Sequence, residues 1–263
     1  MVKKTPTGPR VLIFDLETAP MLAYVWSLWD DNVPLDRLIS DWYVLSWSAK
    51  WLGEKEIMYM DQRDAKDIED DKKIMKGIWK LLDEADVVIT QNGKRFDVPK
   101  LNTRFIMHGM QPPSPFKHID TYQIAKRKFA FSSNKLAFLT SKLCATTKSD
   151  HKKFPGFSLW KACLNGDPAA WKEMEKYNKL DVSSLEELYY KISPWDKSVD
   201  LGPYWDANDP TCHCGSKSFI KFGYGFKPSG KFQRHRCKEC GKTYLDKVNL
   251  LSKEKRSKIL KPE

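Results

Sequence analysis

The chain has 263 residues, room for one large domain with an appendage or for two modest ones. Its 41% hydrophobic and 13% aromatic content is enough to build a core, and its 30% charged content argues for a water-facing surface. No apolar run reaches the length of a bilayer span, and the opening Met1-Val2-Lys3-Lys4 lacks an apolar signal region, so a cytoplasmic protein without membrane partners is expected. A net charge of +11 suits an anionic partner such as nucleic acid. That charge is unevenly placed. Residues 207–263 hold 14 Lys/Arg against 5 Asp/Glu, a net of +9, whereas the preceding 206 residues net only +2.

Val11-Leu12-Ile13-Phe14 reads as a buried strand. Tyr43 to Leu52 and Ile57 to Asp61 suggest two more, joined at Gly53-Glu54-Lys55. Ile74, Ile78, Leu81 and Leu82 recur at helical spacing after a solvated charge run, and Asp86 to Thr90 reads as another core strand. The loop Gln91 to Phe96 leads into a helix through Leu101, Phe105 and Ile106 that Gly109 ends. Phe116 to Ile119 is a short last strand, and helices follow over Thr121 to Lys128, Asn134 to Leu143 and Pro168 to Ile192. Asp167-Pro168 supplies the start of the last one, Asp as the cap and Pro at the first helical position. Strands first and helices later describe an α/β domain with a mixed sheet over residues 1–193. Pro194, Gly202, Pro203 and Pro210 mark residues 194–211 as a linker to a smaller domain, 212–263.

Three places carry candidate chemistry. In Phe14-Asp15-Leu16-Glu17-Thr18, Asp15 and Glu17 sit two apart at a strand end, so both carboxylates share a face and repel unless a cation lies between them. Hard oxygen ligands of this kind suit Mg²⁺ or Mn²⁺. The plainer reading is a strand-end pair facing water. Asp97 stands after a strand and loop at the mouth of a helix, where capping is the ordinary role for Asp ahead of Pro99. Tyr177 and Asp181 are four apart on the long helix and share its face. Asp120 is placed either to assist an ion or to cap the following helix, with the cap the plainer reading.

The basic tail holds a second pattern. Cys212, Cys214, Cys237 and Cys240 form two close pairs, and without a secretory signal these read as a metal site rather than as disulfides. Four thiolates satisfy tetrahedral Zn²⁺. One residue, His213, separates the first pair where two is usual, which leaves open whether His213 replaces a thiolate. Between the pairs, Lys221, Lys227, Lys231, Arg234 and Arg236 alternate with Phe and Tyr, a composition suited to phosphate contacts and base stacking. A module this small also needs aromatic rings for its own core.

Taken together, Asp15 with Glu17, Asn92 to Asp97, and Tyr177 to Asp181 resemble the three motifs of DnaQ-like 3′→5′ exonucleases. These form the DEDD group of the ribonuclease H-like superfamily, and the third motif is in its tyrosine form. The second motif is in the style of B-family polymerase proofreading domains. Ser133-Asn134-Lys135-Leu136 and Asp167 to Trp171 extend the likeness over most of Arg10 to Pro194, and the chain looks like small phage-encoded exonucleases with a C-terminal zinc ribbon. The resemblance implies a ribonuclease H-like mixed sheet flanked by helices, in a host cytoplasm if phage-encoded. It also implies hydrolysis with two Mg²⁺ or Mn²⁺ ions about 4 Å apart. Asp15, Glu17 and Asp181 would hold the nucleophile-side ion, with Asp15 bridging, and Asp97 would hold the second. Tyr177 would orient the attacking water. Leu16 and Thr18 would lie near the terminal nucleotide, Asn92 and Phe96 near the penultimate one. One structural Zn²⁺ would hold the ribbon. The implied substrate is single-stranded DNA or 3′ ends, with polymerase or replication proteins as partners; the same chemistry on RNA, or a catalytically silent nucleic-acid adaptor, are the alternatives.

Overall fold

The apolar run Val11-Leu12-Ile13-Phe14 opens β1 (Val11–Thr18), which is buried on both faces, as a central strand must be. In this computed structural model, which describes residues 8–29, 32–146, 153–205, 208–228 and 230–260, β1 occupies the middle of a five-stranded sheet. After it, β2 (Leu22–Ala23) and β3 (Leu38–Ser40) pair as a separate short hairpin. β4 (Val44–Trp51) then returns antiparallel to β1 and carries β5 (Met58–Asp61) on its far side. On the other flank β6 (Val87–Thr90) pairs parallel with β1, and β7 (Lys117–Asp120) pairs parallel with β6. The order β5-β4-β1-β6-β7 makes the mixed sheet expected from the sequence.

Alternation along β1 and β4 assigns the two faces of this sheet. Leu12, Phe14, Leu16, Trp47 and Ala49 pack with α1 (Lys72–Asp83) and α2 (Asp97–Met107), which contribute Ile74, Ile78, Leu82, Leu101 and Phe105. The opposite face carries Asp15, Glu17, Ser46 and Ser48, and toward it come α5 (Ser158–Leu164) and α6 (Pro168–Ile192). Leu159, Cys163, Trp171, Met174 and Tyr177 close that side over Tyr43 and Leu45. Between β7 and α5 lie α3 (Thr121–Lys128) and α4 (Leu136–Leu143). The start of α6 follows its sequence signal: the Asp167 carboxylate accepts from the N–H groups of Ala169 and Ala170 at 2.7 and 3.4 Å. Asp120 likewise caps α3, accepting from Tyr122 N at 3.0 Å. The β2–β3 hairpin and α5 carry no strong sequence signal. The first is too short to show alternation, and α5 has no side-chain cap.

The chain divides into two compact units, one of residues 10–191 and one of residues from 192 onward with those ahead of Arg10. The second unit contains an antiparallel sheet of β8 (Phe219–Lys227), β9 (Gly230–Cys237) and β10 (Thr243–Asn249), followed by the one-turn α7 (Lys253–Ser257). The proline-rich stretch read as a linker is folded onto this unit. Two short 3₁₀ turns form at its prolines, and Val199 and Leu201 are buried. The Lys242 ammonium donates to the carbonyls of Ser193, Asp196 and Val199. Residues 1–7, 30–31, 147–152, 206–207, 229 and 261–263 of the expected segments lie outside the described residues.

Candidate active site

Asp15 and Glu17 leave the same face of β1 because they are two apart, and Asp181 meets them from α6. One carboxylate oxygen from each of the three lies within 4.8 Å of the others, with Asp181 buried and the other two half-buried. Three carboxylates so close in a partly dry site repel one another unless a cation shares them, so this donor set fits a hard divalent ion. Tyr177 stands one helical turn before Asp181, 8% exposed, with its ring 6.1 Å from that of Trp160 in a T-shaped contact. Burial, and then the charges of Glu17, Asp181 and Asp15, push its phenol well above the ordinary tyrosine range. The group therefore stays a protonated hydrogen-bond donor.

The parallel pairing of β1 with β6 ends at Ile13, which leaves the next stretch of β1 beside the loop that follows β6. There the Leu16 N–H donates to Asp97 Oδ1 at 3.3 Å. Asp97 is the first residue of α2 and Phe96 takes the cap position, so the ordinary reading of this aspartate does not hold. It is 3% exposed, lies outside the three-acid group, and burial pushes its carboxyl up to about 7. The loop that delivers it depends on Asn92 and Gly93. Asn92 takes φ +65° and donates its N–H to Asp120 Oδ1 at 2.9 Å. A Cβ on Gly93 would sit 2.3 Å from Thr90 Oγ1, so glycine is required there.

Asn178 is the residue of this site that sequence reasoning missed. It is fully buried between Tyr177 and the sheet, and its Nδ2 donates to Asp15 Oδ2 at 2.8 Å. Ser46 Oγ donates to its Oδ1 at 3.4 Å, and Ser48 Oγ to its backbone carbonyl at 2.6 Å. Asp15 is thus held through an amide that is itself anchored on β4. A polar residue next to a motif tyrosine gives no spacing signal; the polar run Ser46, Ser48 and Lys50 on one face of β4 was the available clue.

The expected substrate contacts divide. Thr18 lines an open recess beside the acids with Ala19, Pro20, Phe157 and Trp160. Leu16 does not join it: period two turns its side chain into the core on the other face, leaving only its backbone N–H near the site. Phe96 is exposed, with Lys100 Nζ 5.2 Å from its ring, and the same ammonium lies 3.6 Å from Trp42.

In the second unit, Cys212, Cys214, Cys237 and Cys240 bring their sulfurs within 4.8 Å of one another. The Cys212–Cys240 and Cys214–Cys237 separations are 3.5 and 3.7 Å. Four thiolates at about 2.3 Å from a tetrahedral zinc stand about 3.8 Å apart, so the sulfurs match such a site, while a disulfide needs about 2.05 Å. Each pair is closed by a glycine in the left-handed region, Gly215 at φ +86° and Gly241 at φ +78°. The short first pair is accommodated without His213 among the four; its Nε2 lies 3.5 Å from Cys240 Sγ. Lys227, Arg234 and Arg236 line one groove with Phe222 and Lys197, the guanidinium of Arg236 4.3 Å from the Phe222 ring. Lys221 and Lys231 are not among its lining residues; Lys231 lies over Tyr224 at 3.8 Å.

A mixed sheet presenting clustered acids from its central strand and a crossing helix defines a nuclease-type α/β domain. Residues 42–193 match the family model of the RNase_H superfamily, and the chain belongs to that superfamily. The match begins after β1, so Tyr177 and Asp181 lie within it and Asp15 and Glu17 before it. The fold is similar to that of the family B DNA polymerase from the hyperthermophilic archaeon Pyrobaculum calidifontis. The TM-score is 0.52 at 20% identity, covering 71% of this chain and 25% of the polymerase. No curated protein matches the sequence. Among the described residues no helix is long and apolar enough to cross a membrane.

Proposed function

We propose that this protein is a two-metal-ion 3′→5′ exonuclease acting mainly on single-stranded DNA ends, in replication, proofreading or repair. The observation that carries the reading is the gathering of Asp15, Glu17 and Asp181 within 4.8 Å beneath Tyr177. Asp15, Glu17 and Asp181 would hold one divalent ion, with Asp15 shared and Asp97 reaching the second. Such ions, when bound, activate water and neutralise charge on the departing oxygen. Asn178 keeps the Asp15 carboxylate in place, and the protonated Tyr177 phenol orients the water rather than deprotonating it. The second unit, a zinc ribbon in this reading, adds the basic groove that holds the strand outside the site. The likeness to part of a DNA polymerase accords with work at replication ends and with replication proteins as partners.

The test is digestion of 5′-labelled DNA and matched RNA with Mg²⁺ or Mn²⁺. A ladder shortening from the 3′ end of the DNA, absent in Asp15→Ala, is expected. Internal cuts, or a ladder unchanged by Asp15→Ala, overturn the reading, and faster shortening of the RNA moves the substrate class.

A further inference from the structure

The C-terminal unit has a second hollow, and its chemistry differs from that of the basic groove. Its volume is about 650 Å³, within the range of small-ligand sites. Pro210, Phe219, Tyr244 and Leu245 give it apolar walls, the Phe219 and Tyr244 rings set edge to face at 5.8 Å. Beside His235, its ammonium groups Lys217 and Lys247 are matched by the carboxylates of Asp209 and Asp246. The groove instead sets five Lys and Arg side chains against the single carboxylate of Asp200. A phosphate gains little from balanced charge. A nucleobase gains from apolar walls with donors and acceptors side by side.

Several polar groups of the lining are already engaged. The Tyr244 hydroxyl lies 3.2 Å from Cys212 Sγ and accepts from the His213 N–H at 3.0 Å. Asp246 accepts from the Lys247 N–H at 2.8 Å and lies 3.6 Å from His235 Nε2. Thr211 Oγ1 donates to the Asp209 carbonyl at 3.1 Å. The Asp209 carboxylate and Lys217 ammonium stand 3.4 Å apart with both side chains more than half exposed, so the pair keeps further acceptors and donors for a ligand. Guanine complements such a pair best among the four bases. Its O6 accepts while the adjacent N1–H and N2–H₂ donate, so one ammonium and both oxygens of a carboxylate can meet a single edge. The pairing edges of the other three bases each offer only one donor group.

The hollow adjoins the groove. Tyr244 and Leu245 line both, and β10, which carries them, pairs only with β9 and so forms an edge of the described three-stranded sheet. Alternation sends Leu245, opposite Arg234, and Tyr244, opposite His235, to different faces. A single strand crossing that edge can leave its phosphates in the groove and turn one base into the hollow. We propose that the hollow beside Asp209 and Lys217 is a guanine pocket, which rests on the reading of the C-terminal unit as the one that holds the strand. The hold is then base-selective as well as electrostatic. Because the edge being read is the one used in base pairing, the pocket takes guanine only from unpaired strands.

The experiment titrates full-length protein, in buffer without added Mg²⁺ or Mn²⁺, with labelled single strands of dT. One strand is all dT, a second carries one internal dG, and a third carries deoxyinosine there, which lacks only the 2-amino group. Wild type is expected to bind the dG strand on the order of 10-fold more tightly than the all-dT strand, and to lose most of that gain with deoxyinosine. Asp209→Asn and Lys217→Met, both at exposed side chains, should each bring the dG-to-dT ratio to within about twofold of one. Taking the ratio within each protein cancels any loss of folded protein and any general change in charge. A wild-type ratio near one, or a dG preference that survives both substitutions, overturns the pocket while leaving the strand-holding reading intact. Failure to bind any of the three strands overturns that reading and the pocket together.

Discussion

The two units solve opposite problems. Residues 10–191 bury Leu12, Ile13, Phe14, Leu45, Ile74, Ile78, Ile89 and Leu101 completely, and on that rigid base they can hold three like charges together. Among the described residues the C-terminal unit buries few large apolar side chains, chiefly Ile192, Val199 and Leu201, and leaves Tyr224 and Phe226 exposed. Its coherence comes from the four gathered sulfurs and from one buried ammonium on three carbonyls. The first unit concentrates charge inward, at the three gathered carboxylates. The second spreads charge outward and gathers its four sulfurs at one point. In the proposed function a nearly neutral unit would cut and a strongly basic one would bind, so changes in either should leave the other standing.

The largest separation of the two should come from Asp181→Asn. It removes a charge from the acid group and is expected to lower hydrolysis by about 10³-fold or more, while affinity for single-stranded DNA at low salt stays near wild type. Comparable losses in both measurements would mean that the acids also hold the strand. Asn178→Ala should cost on the order of 10- to 100-fold in rate and raise the Mg²⁺ concentration needed for half-maximal activity, since Asp15 loses its anchor. Thermal melting alongside distinguishes that effect from simple loss of fold.

The converse change belongs to the basic groove. Arg234→Ala with Arg236→Ala should weaken binding evenly across sequences and reduce the slope of log K against log salt by about 1 for each phosphate no longer neutralised. Rates on saturating short DNA should hardly move. The smallest effect is on stability against pH. His118 accepts or donates to Thr90 Oγ1 at 2.8 Å, and burial holds its imidazole down at about 4. Because the folded pKa lies below the unfolded value of about 6.5, this contribution is complete above pH 6.5 and is lost as pH falls toward 4. Chemical denaturation of His118→Asn should show a shallower decline across that window. An equal decline in both proteins would place the acid sensitivity elsewhere in the fold.

Legibility followed periodicity. Asp15 with Glu17 and Tyr177 with Asp181 could be paired from sequence because i+2 on a strand and i+4 on a helix are fixed by local geometry. The same rule, carried one residue further, would have sent Leu16 into the core, where it lies, instead of toward the substrate. Asp97 was located correctly on its element, yet its bond to Leu16 N depends on where β1–β6 pairing stops, which no local pattern encodes. Asn178 belongs to a contact between elements far apart in the chain, its partner Asp15 lying on β1. The proline-rich stretch 194–211 shows a related limit: prolines mark turns whether or not the turns pack, and here Lys242, some forty residues later, bonds to their carbonyls.

The sulfur arrangement carries a consequence for redox chemistry. Cys212 with Cys240, and Cys214 with Cys237, each join one sulfur from each pair of cysteines, across the two turns rather than within them. If four thiolates share one cation in the zinc-ribbon reading, loss of that ion would leave two cross-turn dithiols. A two-electron oxidant closing either one would tie the two turns together by a covalent bond in place of coordination. In that reading the hairpin module would answer to oxidants as well as to metal supply.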